Sequence, residues 1–179
     1  MRIISGSHKG RSIIAPKNLP VRPTTDFAKE SLFNILNNFF HFDDIKILDL
    51  FSGTGNISYE FASRGSKNVT AVDKNFNCYS FVKKTAELLK LNSIKAVKSD
   101  VFSFLKHNKE TFDIIFADPP YEHDKIEVIP TLVFKNQLLN KEGWLILEHS
   151  SHINFQQHPN FLERRAYGKV NFSIFATQA

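Results

Sequence analysis

The chain has 179 residues, a length that fits one domain, and a 42% hydrophobic content that can bury a core and excludes global disorder. A lone cysteine, Cys78, excludes an internal disulfide framework and any cysteine-cluster zinc site. The 23 Lys and Arg exceed the 18 Asp and Glu by five, and residues 1–25 hold that whole excess in Arg2, Lys9, Arg11, Lys17 and Arg22, leaving 18 of each sign over residues 26–179.

In chain order, Arg2–Ser5 and Arg11–Ile14 read as two short strands around a Gly6/Gly10 turn, a small hairpin. Residues 15–23 hold three prolines and read as a connector. Thr24, Thr25 and Asp26 offer N-cap side chains, with Glu30 near the first turn. Ala28, Leu32, Ile35, Leu36 and Phe39 then fall on one face of an amphipathic helix. From residue 45 strands and helices alternate. The spacing predicts strands at Ile45–Leu50, Val69–Val72, Ile94–Val97, Phe112–Ala117 and Gly143–Glu148. It predicts helices over Ile57–Arg64 (stopped by Gly65), Phe76–Leu91 and Val101–His107, and a fourth within Lys125–Leu139, where Pro130 either sits in the first turn or breaks the helix. Leu162–Tyr167 and Val170–Ala176 flank Gly168-Lys169 as a late hairpin.

This alternation implies an α/β fold: a mostly parallel sheet of seven strands with helices on both faces and an antiparallel edge hairpin. Ligands of such sheets bind at the carboxyl ends of the strands. Phe51–Gly55, Asp73, Asp100 and Asp118–Tyr121 all fall there.

Gly53 and Gly55 permit a tight turn and close approach of a ligand, or serve only the strand-to-helix geometry. Asp73, 20 residues after Gly53, has the spacing of a carboxylate that holds both hydroxyls of a ribose. Ser58 stands where the dinucleotide fingerprint has its third glycine, which argues for a nucleoside ligand without pyrophosphate. Asp49 either orients the loop or meets a cationic group. Asp100 either accepts from an adenine amino group or caps the helix that follows it. In Asp118-Pro119-Pro120-Tyr121, a carboxylate beside a Pro119 carbonyl can accept two hydrogen bonds from the exocyclic amine of a base, with Tyr121 stacked beneath it. The histidine spacing suggests no metal site, and His149 reads as structural or as lining the cleft rather than as a metal ligand. The basic segment 1–25 suits a polyanion, nucleic acid above all. No run of ~18 apolar residues is present, nor the apolar core of a signal peptide at MRIISGSHKGR, so a soluble cytoplasmic protein is expected. Nothing points to a dimer, and a monomer is the default.

Asp49-Leu-Phe-Ser-Gly-Thr-Gly55, Asp73, Asp100 and Asp118-Pro-Pro-Tyr121 resemble the class I S-adenosylmethionine-dependent methyltransferases that act on amino groups. Met1-Arg-Ile-Ile-Ser-Gly6, Lys9-Gly-Arg11, Arg22-Pro-Thr-Thr-Asp26 and Glu30-Ser-Leu-Phe-Asn34 narrow the resemblance to the RsmD family. The resemblance implies a Rossmann-like catalytic domain over residues 26–179 and an RNA-contacting arm over residues 1–25. It implies methylation of the exocyclic N2 of a guanine, position 966 in that family, in the 16S ribosomal RNA of the assembling 30S subunit. The cofactor would be held by Asp49, Phe51, Ser52, Gly53, Thr54, Gly55, Asp73, Lys74, Asp100, Val101 and Asp118. Asp118, Pro119, Pro120 and Tyr121 would hold the target amine, and Lys9, Arg11, Arg22, Thr24 and Thr25 would face RNA. Phe27 departs from the family, which often has an arginine at this point. An adenine-N6 methyltransferase acting on RNA or DNA, and a non-catalytic RNA-binding assembly factor, are the alternatives.

Overall fold

Runs of five or six apolar residues bounded by Gly, Asp and Pro form strands when both faces can be covered, and here both are. In the computed structural model, which describes residues 1–21 and 24–177, α1 spans Asp26–Leu36, β1 Lys46–Leu50, α2 Asn56–Ser63 and β2 Asn68–Asp73. They are followed by α3 Phe76–Leu88, β3 Ile94–Lys98, α4 Val101–His107, β4 Phe112–Ala117 and α5 Val128–Lys135. The last three strands are β5 Leu139–His149, β6 Phe161–Tyr167 and β7 Val170–Ala176. The seven strands form one sheet in the order β3-β2-β1-β4-β5-β7-β6. The first five are parallel to one another, and β7 runs antiparallel to both β5 and β6. Chain order reverses between β1 and β4, the switch point at which doubly wound sheets open a crevice.

Alternation of side chains sorts the core into two layers. Leu48, Leu50, Ile115, Ala117, Leu145 and Leu147 pack under α4 and α5. Ile47, Ile114, Phe116, Ile146 and Ile174 pack under α1 and α2, where Phe33, Phe42 and Phe61 form an aromatic nest.

Several boundaries move for local reasons. The first helix stops at Leu36 in an Asn37-Asn38 turn, so Phe39 leaves the expected inward face and stays largely exposed, its ring 4.7 Å from that of Trp144. The third ends at Leu88 because Lys90 turns left-handed, which folds buried Leu91 back so that its N–H donates to the Ala86 carbonyl. The fifth strand begins at Leu139 rather than Gly143, since a bulge with Glu142 at positive φ carries the chain through its polar stretch. Of the two outcomes open to it, Pro130 takes the first turn of α5.

The expected N-terminal hairpin contains a single bridge, Arg2 to Ser12, and no regular strand. Its shape comes from docking. Ile3 and Ile13 are buried against Tyr59, Ala62, Val82 and Leu89. The Ile4 and Ser5 N–H groups donate to the two oxygens of the Glu60 carboxylate, at 2.9 and 3.0 Å. Gly6 has a positive φ and lies so close to Ser63 that a Cβ would strike the Ser63 carbonyl. Residues 1–14 are thereby built into the body rather than hanging from it.

Candidate active site

The site grows from the alternation of four neighbouring strands. In register, Asp49 pairs with Ala71 and Phe116, and Phe116 pairs with Ile146. Side chains two residues apart share a face. The row under α1 and α2 therefore continues past its last apolar members into Asp73 on β2, Asp118 after β4 and Glu148 on β5, with Asp49 between them. Asp118 and Glu148 each lie one residue beyond the paired Ala117 and Leu147.

Like charges in a desolvated row raise one another's pKa. Burial pushes the Asp49 carboxyl up to about 7, against two hydrogen bonds from Ser58 and with a contribution from Asp73. Burial, then the charges of Glu148 and Asp49, hold the Asp118 carboxyl well above the usual carboxylate range. Burial also raises Glu148, against hydrogen bonds from Tyr121 and Thr24. Such a row favours a cationic guest, which restores ionisation of the carboxylates by pairing with them.

The loop after β1 sets the neighbouring wall. Phe51 is held at φ 56°, a left-handed backbone that costs a bulky residue energy and turns the chain towards β2. Ser52 N–H then donates to the Val72 carbonyl at 3.0 Å, and Gly53 N–H to Asp73 Oδ2 at 2.9 Å. Asp73 Oδ1 accepts from Asn75 N–H. At Gly55, with φ 79°, a Cβ would lie 2.7 Å from the Tyr59 ring. Thr54 is buried beside it. The Asp49 carboxylate accepts from both N–H and Oγ of Ser58 near the start of α2, which ties it to the helix that follows the loop. Asp100 caps α4 by accepting from Ser103 N–H at 2.9 Å. Val101 behind it is buried.

A cleft of about 520 Å³ opens beside this wall, lined by Lys74, Asp100, Phe102, His123 and Lys125 among others. Phe51, Phe102 and His123 form an aromatic cluster along it, with ring centres 5.2 to 6.2 Å apart. In the second proline loop Pro119 is buried, Pro120 exposed and the Tyr121 ring about half exposed. The Tyr121 hydroxyl donates to Glu148 Oε1 at 2.9 Å. Burial and then Glu148 push that hydroxyl's pKa up.

Among the expected RNA-facing residues, Lys9 and Arg11 are exposed, whereas Arg22 lies outside the described residues. Thr24 departs from expectation: it is buried, and its hydroxyl donates to Glu148 Oε2 at 3.3 Å, because the chain entering α1 crosses the carboxyl edge of the sheet. Thr25 caps α1 by accepting from Ala28 N–H. Phe27 projects outward, edge-on to Tyr167. His149 is fully buried between Ser173 and the Ser150 carbonyl, a structural role. Glu148, buried behind Tyr121, and the cleft residues Phe102 and His123 are site residues that the sequence reading did not single out. The end of the fifth strand and the residue after Asp100-Val101 were the available signals for the first two. Among the described residues no group of three His, Cys, Asp or Glu is placed to hold a metal, and no helix is long and apolar enough to cross a membrane.

A doubly wound sheet with an antiparallel seventh strand, and acidic ends flanking a glycine loop, defines a Rossmann-like methyltransferase. The family model described as "Conserved hypothetical protein 95" matches residues 1–176. The chain belongs to this family, the RsmD family of methyltransferases. It is 35% identical over 182 residues to the Bacillus subtilis protein named "Putative rRNA methyltransferase YlbH", covering 98% of each chain. It is 31% identical over 148 residues to the Escherichia coli K12 protein named "Ribosomal RNA small subunit methyltransferase D", covering 83% of this chain and 74% of that one. The solved structure of yhhF from Escherichia coli superposes with a TM-score of 0.86 at 27% identity, covering 100% of this chain and 98% of that one.

Proposed function

We propose that this protein transfers a methyl group from S-adenosylmethionine to the exocyclic N2 of a guanine in small-subunit ribosomal RNA. The observation that carries the reading is the carboxyl row beside the Gly53–Asp73 wall, in which buried Asp49 and Glu148 flank the half-buried Asp118. Family membership and the names of the relatives support the RNA class.

The residues present fit the cofactor. S-adenosylmethionine is a cation, and three carboxyls raised by burial suit a positive guest. Asp73 at the end of β2 and the glycine loop would hold its ribose and amino-acid portions, with Asp100, Val101 and Phe102 towards its base. When bound, the cofactor supplies an electrophilic methyl group.

The chain supplies position and electrostatics. The Asp118 carboxylate and the Pro119 carbonyl accept the two N–H bonds of the target amine, which directs its lone pair away from them and towards the electrophile. These acceptors also stabilise the positive charge that develops on the nitrogen. Its proton leaves after the transfer, so no strong base is needed. Tyr121, anchored by Glu148, presents its half-exposed ring to the base as a stacking surface. Lys9 and Arg11 would attract the phosphate backbone, which positions RNA without reading sequence.

The test incubates the protein with labelled S-adenosylmethionine and small ribosomal subunits from cells lacking the gene, followed by nucleoside analysis. N2-methylguanosine is the expected product. N6-methyladenosine would move the assignment to the adenine reading, and no incorporation would overturn both.

A further inference from the structure

Charge is not spread evenly over the body of the protein. Residues 67–109 contain Lys67, Lys74, Lys83, Lys84, Lys90, Lys95, Lys98, Lys106 and Lys109 against Asp73, Glu87 and Asp100, a count of 9 − 3 = +6. Since residues 26–179 sum to zero, the rest of that body carries −6. All nine lysines are exposed, and among the described residues none forms a salt bridge. Two of the three carboxylates are occupied by backbone donors, Asp73 by Gly53 and Asn75, and Asp100 by Ser103. The fold places Lys83 and Lys84 on α3 with Lys90 just past its end, Lys95 and Lys98 on the open edge strand β3, and Lys74 and Lys106 at the rim of the cleft.

Two further features favour a nucleic acid over a merely solvated face. Phe76, at the start of α3, leaves 60% of its surface exposed, with Tyr79 at 6.2 Å on one side and the Lys98 ammonium 5.5 Å from its ring centre. A groove of about 270 Å³ runs between α3 and β3, lined by Tyr79, Lys83, Glu87, Lys95 and Ala96. Aromatic rings interleaved with cations along a groove suit unpaired nucleotides, whose bases stack while their phosphates pair. The basic N-terminal segment joins this surface: the ring of His8 is hydrogen-bonded to the Leu89 carbonyl at 2.8 Å, which sets Lys9 beside the Lys90 end of α3.

We propose that the α3–β3 edge is a second RNA-docking surface, continuous with the N-terminal basic segment, that holds an unpaired stretch of the substrate RNA flanking the target base. The inference rests on the RNA reading above and adds where the strand runs: from Lys9, along α3 past Lys83 and Lys95, to Phe76 and Lys98, and on to the cleft rim at Lys74. Each phosphate paired on a single strand releases about 0.7 of a counterion, so the band contributes to affinity in a salt-dependent way.

The test measures equilibrium binding of fluorescently labelled small-subunit RNA fragments to the full chain over a range of salt. Three proteins are compared: Lys83→Gln/Lys95→Gln/Lys98→Gln, Phe76→Ala, and a control with Lys9→Gln/Arg11→Gln. Thermal unfolding and S-adenosylmethionine affinity are read alongside. The triple variant is expected to lose on the order of 10- to 100-fold in RNA affinity near 0.1 M salt and about 2 from the salt slope, with unchanged melting and cofactor affinity. Phe76→Ala is expected to lose about tenfold for unpaired RNA and little for duplex. If the Lys9/Arg11 variant weakens binding while the triple variant and Phe76→Ala bind as the parent does, the docking surface is refuted; the lysines then serve only to keep the open β3 edge from pairing with other sheets. If none of the variants changes RNA binding, the RNA reading itself falls.

Discussion

The hydroxyl of Tyr121 donates a hydrogen bond to Oε1 of Glu148, 27 residues later in the chain, at 2.9 Å. Glu148 is buried and also accepts from Thr24, so one carboxylate ties the proline loop, the fifth strand and the entry to α1 into a single wall. In the proposed reaction Glu148 is a positioning residue, acting on the base through Tyr121 and on Asp118 through charge. Glu148→Gln keeps the shape and removes the charge, so the Asp118 carboxyl should titrate lower. The acid limb of the pH–rate profile should then move to lower pH, a shift that a purely structural role would not produce. Tyr121→Phe should reduce kcat by roughly tenfold while cofactor affinity stays within twofold, since the ring remains but its anchor is lost.

Asp118 is the acceptor for the target amine in the proposed reaction. Asp118→Ala should lower single-turnover methylation by on the order of 10²–10³-fold, the usual loss when a positioned electrostatic group is removed. Cofactor affinity should fall far less. Unfolding in denaturant should show no loss of stability beyond about 1 kcal/mol, because a carboxyl held among like charges contributes little to folding. A variant that methylates at the parent rate would remove Asp118 from the reaction.

The raised pKa of Asp49 makes stability depend on pH in a defined direction. The folded state holds the proton more tightly than the unfolded chain, so this group's contribution is complete at about pH 4 and is lost as the pH rises through about 7. Asp49→Asn should flatten that decline, and the difference between pH 5 and pH 8 in denaturant unfolding should shrink by ~2–4 kcal/mol relative to the parent. Binding of the cationic cofactor should release protons near neutral pH, and its affinity should rise between pH 6 and pH 8. Calorimetry in buffers of differing ionisation heat measures both.

Lys29 is fully buried, and its ammonium reaches the Arg2 carbonyl at 2.6 Å, Asn56 Oδ1 at 2.8 Å and Glu60 Oε2 at 3.2 Å. Burial lowers its pKa and Glu60 works against that shift. Lys29→Met strips Glu60 of a buried counter-charge and should destabilise the fold by about 3–5 kcal/mol. The double variant Lys29→Met/Glu60→Gln should recover part of the loss, because glutamine still accepts from one of the two N-terminal amides without a buried charge. Hydrogen exchange at Ile4 and Ser5 should quicken in either variant, since both amides donate to this carboxylate.

Much of the fold was legible because its signals are local. Phe112–Ala117 and Val170–Ala176 are strands with the limits their apolar runs predict, and the two-residue Gly168-Lys169 turn closes the last hairpin. Asp49, Asp73, Asp100 and Asp118 were marked out by their place at strand ends. The N-terminal turn between two short runs was legible, and it closes on the antiparallel Arg2–Ser12 bridge, but its docking was not: its residues are fixed by burial of Ile3 and Ile13 and by Glu60, partners nearly 60 residues away that periodicity does not report.

By itself, the sequence determined which side chains stand at the carboxyl edge, since side-chain alternation and loop chemistry depend only on near neighbours in the chain. Strand order decided the rest. Placing β4 between β1 and β5 brings Asp118 beside Glu148 and Asp49, and the shared desolvation raises all three carboxyls. The same order leaves β3 as an open edge, where lysines that are balanced in the overall charge count gather on one surface. Coulombic coupling falls off over ångströms in space, and only the folded chain sets those distances.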